Sequence, residues 1–554
     1  MPPLTSSRGE NWFLWGRSRV LCGLLAAALA TPAAPLAAQV NLPALGDAGA
    51  EDLSVGQERR LGEQIMREVF RDPAYLDDPV LLEYVQSIWR PLVAEARRRG
   101  DIEPGVDRQL SWDTFLVRDR SVNAFALPGG WVGVHLGLIS LTGSADELAS
   151  VMAHELSHVS QRHIARSVGN AQRVSLLGLG AMILGILAAG RSSNPDVASA
   201  AIAGGQAAAQ QGQLNFSRDM EREADRIGFG LLRGAGFDPR GMSAMFEKLD
   251  AANRINDGSA FPYLRSHPLT VERTSEARSR TLLEAGGPPG STLLHALMQA
   301  RARVLMDDAV DHLRRLAAPQ ALPESAPLAD RLAQGYAAAL ANSRLRQAAA
   351  AERWLAEARG LAGRISAGPA QTWAHAVGMV LTLAEAELRL AAGQAQQAAA
   401  LVTALSEGDD SSRPARMLAA DAAWAMAHAT PAAAAAIARP MVESLQTWVA
   451  VRPRDALAWR HLAELSTLAG LPLRAIRAAG EERYALGDLG GAIDRLRAAR
   501  RQPAPAGSQD FIELSIIDAR LRDIEGQRRQ LEQEARAARG GRQDGGEGRG
   551  GEGR

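Results

Sequence analysis

At 554 residues the chain is longer than one hydrophobic core organises, so two or three domains are expected. Its 46% hydrophobic and 22% charged residues exclude a disordered or multiply membrane-spanning protein. With 62 basic and 62 acidic residues the net charge is zero, so nothing in the bulk electrostatics draws a nucleic acid, and no such partner is expected. Lys248 is the one lysine among the basic residues, and the Arg and Ala bias reads as that of a GC-rich genome.

The first residues read as a secretory signal, residues 1–38. Arg8, Arg17 and Arg19 form a basic start, Val20 to Ala30 an apolar run too short to span a bilayer, and Ala37 and Ala38 offer cleavage points. Cys22, the single cysteine, is preceded by Leu21 rather than a small residue, which argues against lipidation. Once the signal is removed no thiol remains, so the exported protein needs no disulfide and any bound metal must be held by His and carboxylates.

Residues 53–285 mix helices with a few strands. Asp78-Pro79 caps a helix carrying Leu81, Leu82, Val85, Ile88 and Trp89 at helical spacing, and Pro91 is expected to interrupt or end it. Trp112 to Val117, Asn123 to Leu127 and Trp131 to His135 are strand-like, the last two flanking a Pro128-Gly129-Gly130 turn. Ser144 with Glu147 has the capping-box spacing and starts a helix that runs past His158. Two Gly- and Ala-rich apolar arms, Val174 to Ala189 and Val197 to Ala209, follow around an Asn194-Pro195-Asp196 turn. They read either as a close-packed helical hairpin or as one that touches a membrane surface or covers the active site.

From 290 to 501 the sequence is almost wholly helix-forming. Gly393, Gly470 and Gly487 each precede an alanine at the same offset (Ala398, Ala475, Ala492), and Gly470 and Gly487 are 17 apart, half a tetratricopeptide period. Trp459 and Leu462 resemble the start of such a repeat. A charged helix over 509–539 then leads into a Gly-, Arg- and Glu-rich tail, 540–554, expected to be disordered. The fold expected is an α+β domain, mostly helical with a small sheet, followed by an all-α tetratricopeptide-like repeat domain.

His154-Glu155-Leu156-Ser157-His158 carries the chemistry. Imidazoles at i and i+4 leave one helical face a turn apart, close enough to share a tetrahedral ion, and Glu155 beside them can serve as general base. A catalytic zinc needs a third protein ligand, and Glu221 in Ser217 to Asp225 supplies one. Asp225, four residues on, shares its helix face and can accept a hydrogen bond from a ligating His. Glu223 points elsewhere and reads as surface.

His-Glu-x-x-His followed by Glu-x-x-Ala-Asp resembles the gluzincin peptidases that include the HtpX and CAAX prenyl endopeptidases and their soluble periplasmic relatives. Asn123 to Gly130 resembles the family's strand before the zinc helix, and Ser266-His267-Pro268-Leu269 with Arg273 also fits. The motif resemblance covers residues 53 to 280; over the repeats it is one of layout alone. It implies an α+β zincin-like metallopeptidase domain with a single Zn2+ per subunit on His154, His158 and Glu221 and Glu155 as general base. It implies that Asn123, Ala124, Phe125 and Ala126 border the cleft and pair with an extended substrate. His267 would lie near the metal, stabilising an oxyanion or taking the water's place and holding the enzyme latent; the alternative is a structural loop histidine. Arg273 would orient that loop or Glu221, or make a surface ion pair. His135 and His163 show no comparable partners and read as structural or exposed.

The membrane-bound relatives carry spanning helices where this chain has two short arms, which favours an enzyme that touches a membrane peripherally at most and argues against prenyl-protein processing. The leading expectation is a periplasmic zinc endopeptidase that meets outer-membrane proteins or their assembly machinery through its repeats. The competing one is a chaperone-like or scaffold protein with a latent metal site.

Overall fold

The computed structural model describes residues 53–170, 217–255, 262–282, 292–365, 369–406, 412–502 and 509–543. The signal reading, the two apolar arms and the last eleven residues of the tail lie outside them. The described residues belong to one compact unit.

The chain enters through α1 (Val55–Val69), where Ser54 and Gln57 make a reciprocal capping box. After β1 (Tyr75–Leu76) comes α2 (Pro79–Arg99), capped by Asp78. It runs straight through Pro91, correcting the expected break. The carbonyl that Pro91 leaves without a helical donor belongs to exposed Ser87, and Leu92, Val93 and Ala96 beyond the proline continue the same buried face. A short turn of helix, α3 (Pro104–Asp107), leads to the sheet.

Four strands pair in the order β1-β2-β4-β3: β2 (Asp113–Val117) lies parallel to β4 (Trp131–His135), and β3 (Ala124–Leu127) pairs antiparallel with β4 and forms an edge. α4 (Leu136–Leu141) follows directly, then α5 (Ala145–Ser160), every residue of which from Asp146 to Val159 is buried. Ser144 caps α5 through Glu147 N–H, but the Glu147 carboxylate goes to Gly143 N–H and Lys248 (both 2.6 Å), so the capping box is only half formed. α6 (His163–Asn170) begins after Arg162, whose backbone is left-handed (φ 52°) and whose side chain is tied to Glu58 and the Leu53 carbonyl.

Packed on α5 are α7 (Arg218–Gly234) and α8 (Arg240–Ile255). At Gly228 a side chain would meet the Ala153 and His154 backbone at 3.2 Å, so the glycine sets how closely α7 approaches α5. α9 (Pro262–Ser266) and α10 (Val271–Leu282) complete this part.

Beyond it every described element is helical: α11 (Thr292–Leu305), α12 (Val310–Ala317), α13 (Leu328–Arg344), α14 (Ala348–Ala362), α15 (Pro369–Ala391), α16 (Ala395–Ser406), α17 (Arg413–Ala429), α18 (Ala434–Val451), α19 (Ala456–Leu468), α20 (Pro472–Ala485), α21 (Leu489–Ala499) and α22 (Gln509–Gln543). Most of them pack chiefly against their neighbours in the chain. Gly393, Gly470 and Gly487 end α15, α19 and α20 in left-handed backbone (φ 76°, 73° and 73°) with the same pair of capping hydrogen bonds, which is the physical content of the echo in the sequence. Of the alanines that follow, Ala398 and Ala492 are buried and Ala475 is half-buried. The last helix continues to Gln543, so residues 540–543, expected in the tail, are helical. One apolar core joins α2, the sheet and α5 to helices as far as α17; smaller ones serve α17–α20 and α20–α22. No described helix is long and apolar enough to cross a membrane.

Candidate active site

His154 and His158 leave α5 on one face, their ring centroids 4.7 Å apart. Three further segments converge on them: the edge of β3, α7 with Glu221 and Asp225, and the turn after α9 with His267. All of these side chains except those of the strand are nearly inaccessible: His154, Glu221 and His267 are 2% exposed, and Glu155 and His158 not at all.

Nε2 of His154 lies 3.0 Å from Nε2 of His158 and 3.3 Å from Nδ1 of His267. Glu221 Oε1 is 2.9 Å from His267 Nδ1 and 3.5 Å from His158 Nε2. One ligand atom from each of His154, His158, Glu221 and His267 lies within 4.8 Å of the others. Ligands about 2.0–2.1 Å from a tetrahedral zinc stand about 3.3 Å apart, so the spacing fits the ion.

The protons agree with this. Nδ1–H of His154 donates to Asp225 Oδ1 (2.9 Å), leaving the lone pair of its Nε2 turned inward. His158 turns Nε2 inward as well, because its Nδ1 is engaged by His163 Nδ1 at 2.8 Å. At 3.0 Å a proton on His154 Nε2 can bridge to the lone pair of His158 Nε2, and a shared cation would take that proton's place. Burial and these contacts act oppositely on the titrations. Burial lowers His154, but Asp225 and Glu221 outweigh it and raise its pKa to about 10. For Glu221 burial is outweighed by His267 and His154, which hold the carboxyl well below the usual range. Burial also drives His158 well below its ordinary value.

Glu155, the next residue along α5, lies on the sheet side. Its Oε2 accepts the N–H of Ala126 in β3 (3.0 Å), so the outward edge of that strand faces the carboxylate. Its Oε1 accepts no hydrogen bond from the described residues, with His267 Nε2 3.5 Å away. Burial, only partly offset by His267 and His154, raises its pKa. Ala124 is buried, and Phe125 and Ala126 are half-buried beside it. Asn123, just before the strand, gives its carbonyl to His135 N–H, and its buried Oδ1 accepts no hydrogen bond from the described residues.

Arg273, read from sequence as orienting a loop, orienting Glu221 or making a surface pair, is buried (4% exposed). It donates to both oxygens of Asp225 (2.7 and 2.9 Å) and to the Pro268 carbonyl (2.8 Å), and its Nη1 is 2.8 Å from Glu221 Oε2. One guanidinium therefore clamps the loop of His267, the carboxylate behind His154 and the carboxylate facing the two histidines.

Two residues correct the reading from sequence. His163 is neither exposed nor without a partner: it is fully buried, with Nδ1 on His158 and Nε2 3.1 Å from Glu223 Oε2. Glu223 is not simply a surface residue, since it also accepts from Arg166 (3.1 Å). With Glu223 ionised, His163 donates from Nε2 and accepts at Nδ1, so His158 must donate from Nδ1. The left-handed turn at Arg162 swings His163 back onto the helix it has just left. The signal available in the sequence was a third histidine five residues past His158. His135 does fit its structural reading, buried with Nδ1 3.0 Å from Ser121 Oγ.

A buried His-Glu-x-x-His helix facing a Glu-x-x-Ala-Asp helix defines a metallopeptidase domain, and residues 83–281 match the model of Peptidase family M48. The chain carries an M48 peptidase domain and resembles the beta-barrel assembly-enhancing proteases. It is 34% identical over 244 residues to the protein of that name from Escherichia coli (strain K12), covering 43% of this chain and 47% of that one. A Vibrio cholerae relative described by the same name is 37% identical over 260 residues, 46% of this chain and 51% of that one. The mitochondrial metalloendopeptidase OMA1 of Schizosaccharomyces pombe is 31% identical over 228 residues, 40% of this chain and 60% of that one. The chain thus matches these curated relatives over about half of their length.

Proposed function

We propose that the chain is a periplasmic zinc-dependent endopeptidase concerned with the quality of outer-membrane protein assembly. The observation that carries the chemistry is the buried set of His154, His158, Glu221 and His267, with one ligand atom from each within 4.8 Å of the others and the closest contacts at 2.9–3.5 Å. His154, His158 and Glu221 would hold the zinc, which when bound supplies Lewis-acid activation of water and of the peptide carbonyl. Glu155 is the general base. It takes the proton of the attacking water and hands it to the leaving amine, and the burial that raises its pKa suits it to both tasks. β3 offers its outward edge to an extended substrate, from Asn123 to Ala126. Asp225 and Arg273 fix the ligands from behind.

His267 would take the remaining position on the metal, the place an attacking water needs. We read it as a latch that holds the enzyme latent until its loop moves. The support is its distance of 2.9–3.3 Å from the neighbouring donors, together with its seat on a loop held by Arg273 rather than on α5 or α7. The alternative of a chaperone-like protein with a latent metal site draws on the same histidine. Replacing His267 by Ala separates the two: zinc stays on the remaining ligands, and cleavage of an unfolded barrel protein rises severalfold if His267 is a latch. Unchanged, undetectable cleavage beside tight binding would support the chaperone reading.

The helical array is proposed to be tetratricopeptide-like and to meet protein partners, supported by its neighbour-to-neighbour packing and shared glycine caps. The periplasmic location rests on the signal reading of residues 1–38, and the link to outer-membrane proteins on the name of the bacterial relatives.

A further inference from the structure

A cleft of about 850 Å3 opens between the peptidase part and the end of the helical array. One wall is a single face of α1, with Arg59, Glu63, Met66 and Arg67 at three- and four-residue spacing, continued by Phe70. The other wall comes from α18, α20 and α22. Six arginines line it (Arg59, Arg60, Arg67, Arg454, Arg477 and Arg520) against two carboxylates, Glu63 and Glu481. Three of the six are paired: Arg59 with Glu63 (3.3 Å), Arg520 with Glu481 (2.7 Å) and Arg477 with Glu513 (2.8 Å). Arg60, Arg67 and Arg454 make no salt bridge to a described residue, and the hydrogen bond of Arg454 goes to Ser111 Oγ.

The cations stand among aromatic rings. Arg454 lies over Trp131 (5.8 Å to the ring centre), Arg477 over Trp459 (5.8 Å) and Arg520 over Tyr484 (4.4 Å). Phe70, Trp131, Pro453 and Arg454 also line a second cavity of about 1230 Å3, so the space is elongated. Trp131 is the cross-strand partner of Leu127, the last residue of edge strand β3.

Like charges that converge in a partly enclosed space repel one another, and a ligand bearing carboxylates relieves that repulsion. Rings beside the guanidinia add a place for an aromatic or apolar side chain. The two wall carboxylates oppose an unbroken phosphate backbone, and an elongated cleft suits an extended chain rather than a small anion. We propose that this cleft docks an acidic polypeptide segment carrying aromatic residues, at a site separate from the one where a peptide bond would be cut. The inference stands on the cleft alone and does not need the peptidase reading.

The test is fluorescence anisotropy of the full mature chain with a fluorescein-labelled peptide of alternating Asp and Trp. A Lys-for-Asp counterpart and a single-stranded oligonucleotide of equal length serve as competitors. The acidic peptide is expected to bind in low salt, to weaken as salt rises and to lose at least ~10-fold in affinity in the Arg60→Glu/Arg454→Glu variant. Both positions are exposed, so this variant keeps its fold, which its unfolding temperature checks. Arg67→Gln should weaken binding in the same direction. Absence of binding to wild type, equal binding by the variant, or equal affinity for the Lys peptide would each overturn the proposal. Displacement by the oligonucleotide at equal concentration would also overturn it, as a nucleic-acid site.

Discussion

His158 is fully buried, and its Nδ1 meets His163, which is held in turn by Glu223 and, through it, Arg166. The chain of donors runs outward, so the proton on His158 is fixed away from the inward-facing Nε2. Removing such an outer partner typically costs 10–100-fold in metal affinity. His163→Ala should therefore bind zinc about 10–100-fold more weakly in a competitive chelator titration, and unaltered affinity would show that His163 merely fills space. Burial holds the His163 imidazole down at about 4, with Glu223 opposing. The unfolded chain takes up that proton near 6.5, so between pH 6.5 and 4 the unfolded state binds more protons. This histidine's contribution to stability thus falls as pH falls through that window, and His163→Asn should unfold with a shallower pH dependence than wild type. At this scale the sequence was legible where function is written locally. His154, Glu155 and His158 are a five-residue pattern, and Glu221 and Asp225 another. His163 and Glu223 were not, because their meeting depends on a left-handed turn at Arg162 and on how α6 packs near α7, neither of which periodicity reports.

At the scale of elements, Arg301 on α11 donates to both oxygens of Asp78, the residue capping α2, and to Glu387 on α15. Its side chain is 6% exposed and that of Asp78 9%, so the pair is screened from water. Replacing Arg301 by Met leaves the Asp78 carboxylate buried without its partner, a loss of about 3–5 kcal/mol. Urea unfolding should show it as a lower midpoint with unchanged slope; a change below about 1 kcal/mol would mean the carboxylates find water instead. Elements were readable where caps and periodicity agree, as in α2 and α5. The break expected at Pro91 failed because the freed carbonyl at Ser87 faces solvent, and exposure is a property of the packed helix. The capping box at Ser144 was half right, since Lys248, a hundred residues on, competes for Glu147.

For the whole molecule, one apolar core runs from α2 and the sheet into the helical array as far as α17. His295 on α11 bonds Tyr84 Oη (2.6 Å) and the Thr142 carbonyl (2.8 Å), so the array reaches into the peptidase part. A chain cut after residue 285 should therefore be unstable, with the apolar surfaces of α2 and α4 uncovered, and should melt well below the full chain. A fragment as stable as the full chain would show that the two parts fold separately. The sequence divided these regions by composition, which shows where helices become continuous but not that the two share a core.

The central claim is that α5 and α7 build a zinc site with Glu155 as its base. Its most direct test is metal analysis of the purified mature protein beside His154→Ala and Glu155→Gln. Stoichiometric zinc is expected in wild type and in Glu155→Gln, with cleavage by the latter lowered by about 10²–10⁴-fold, and zinc should be lost from a still-folded His154→Ala. A folded wild type that holds no zinc after gentle purification and takes none up on titration would contradict the claim.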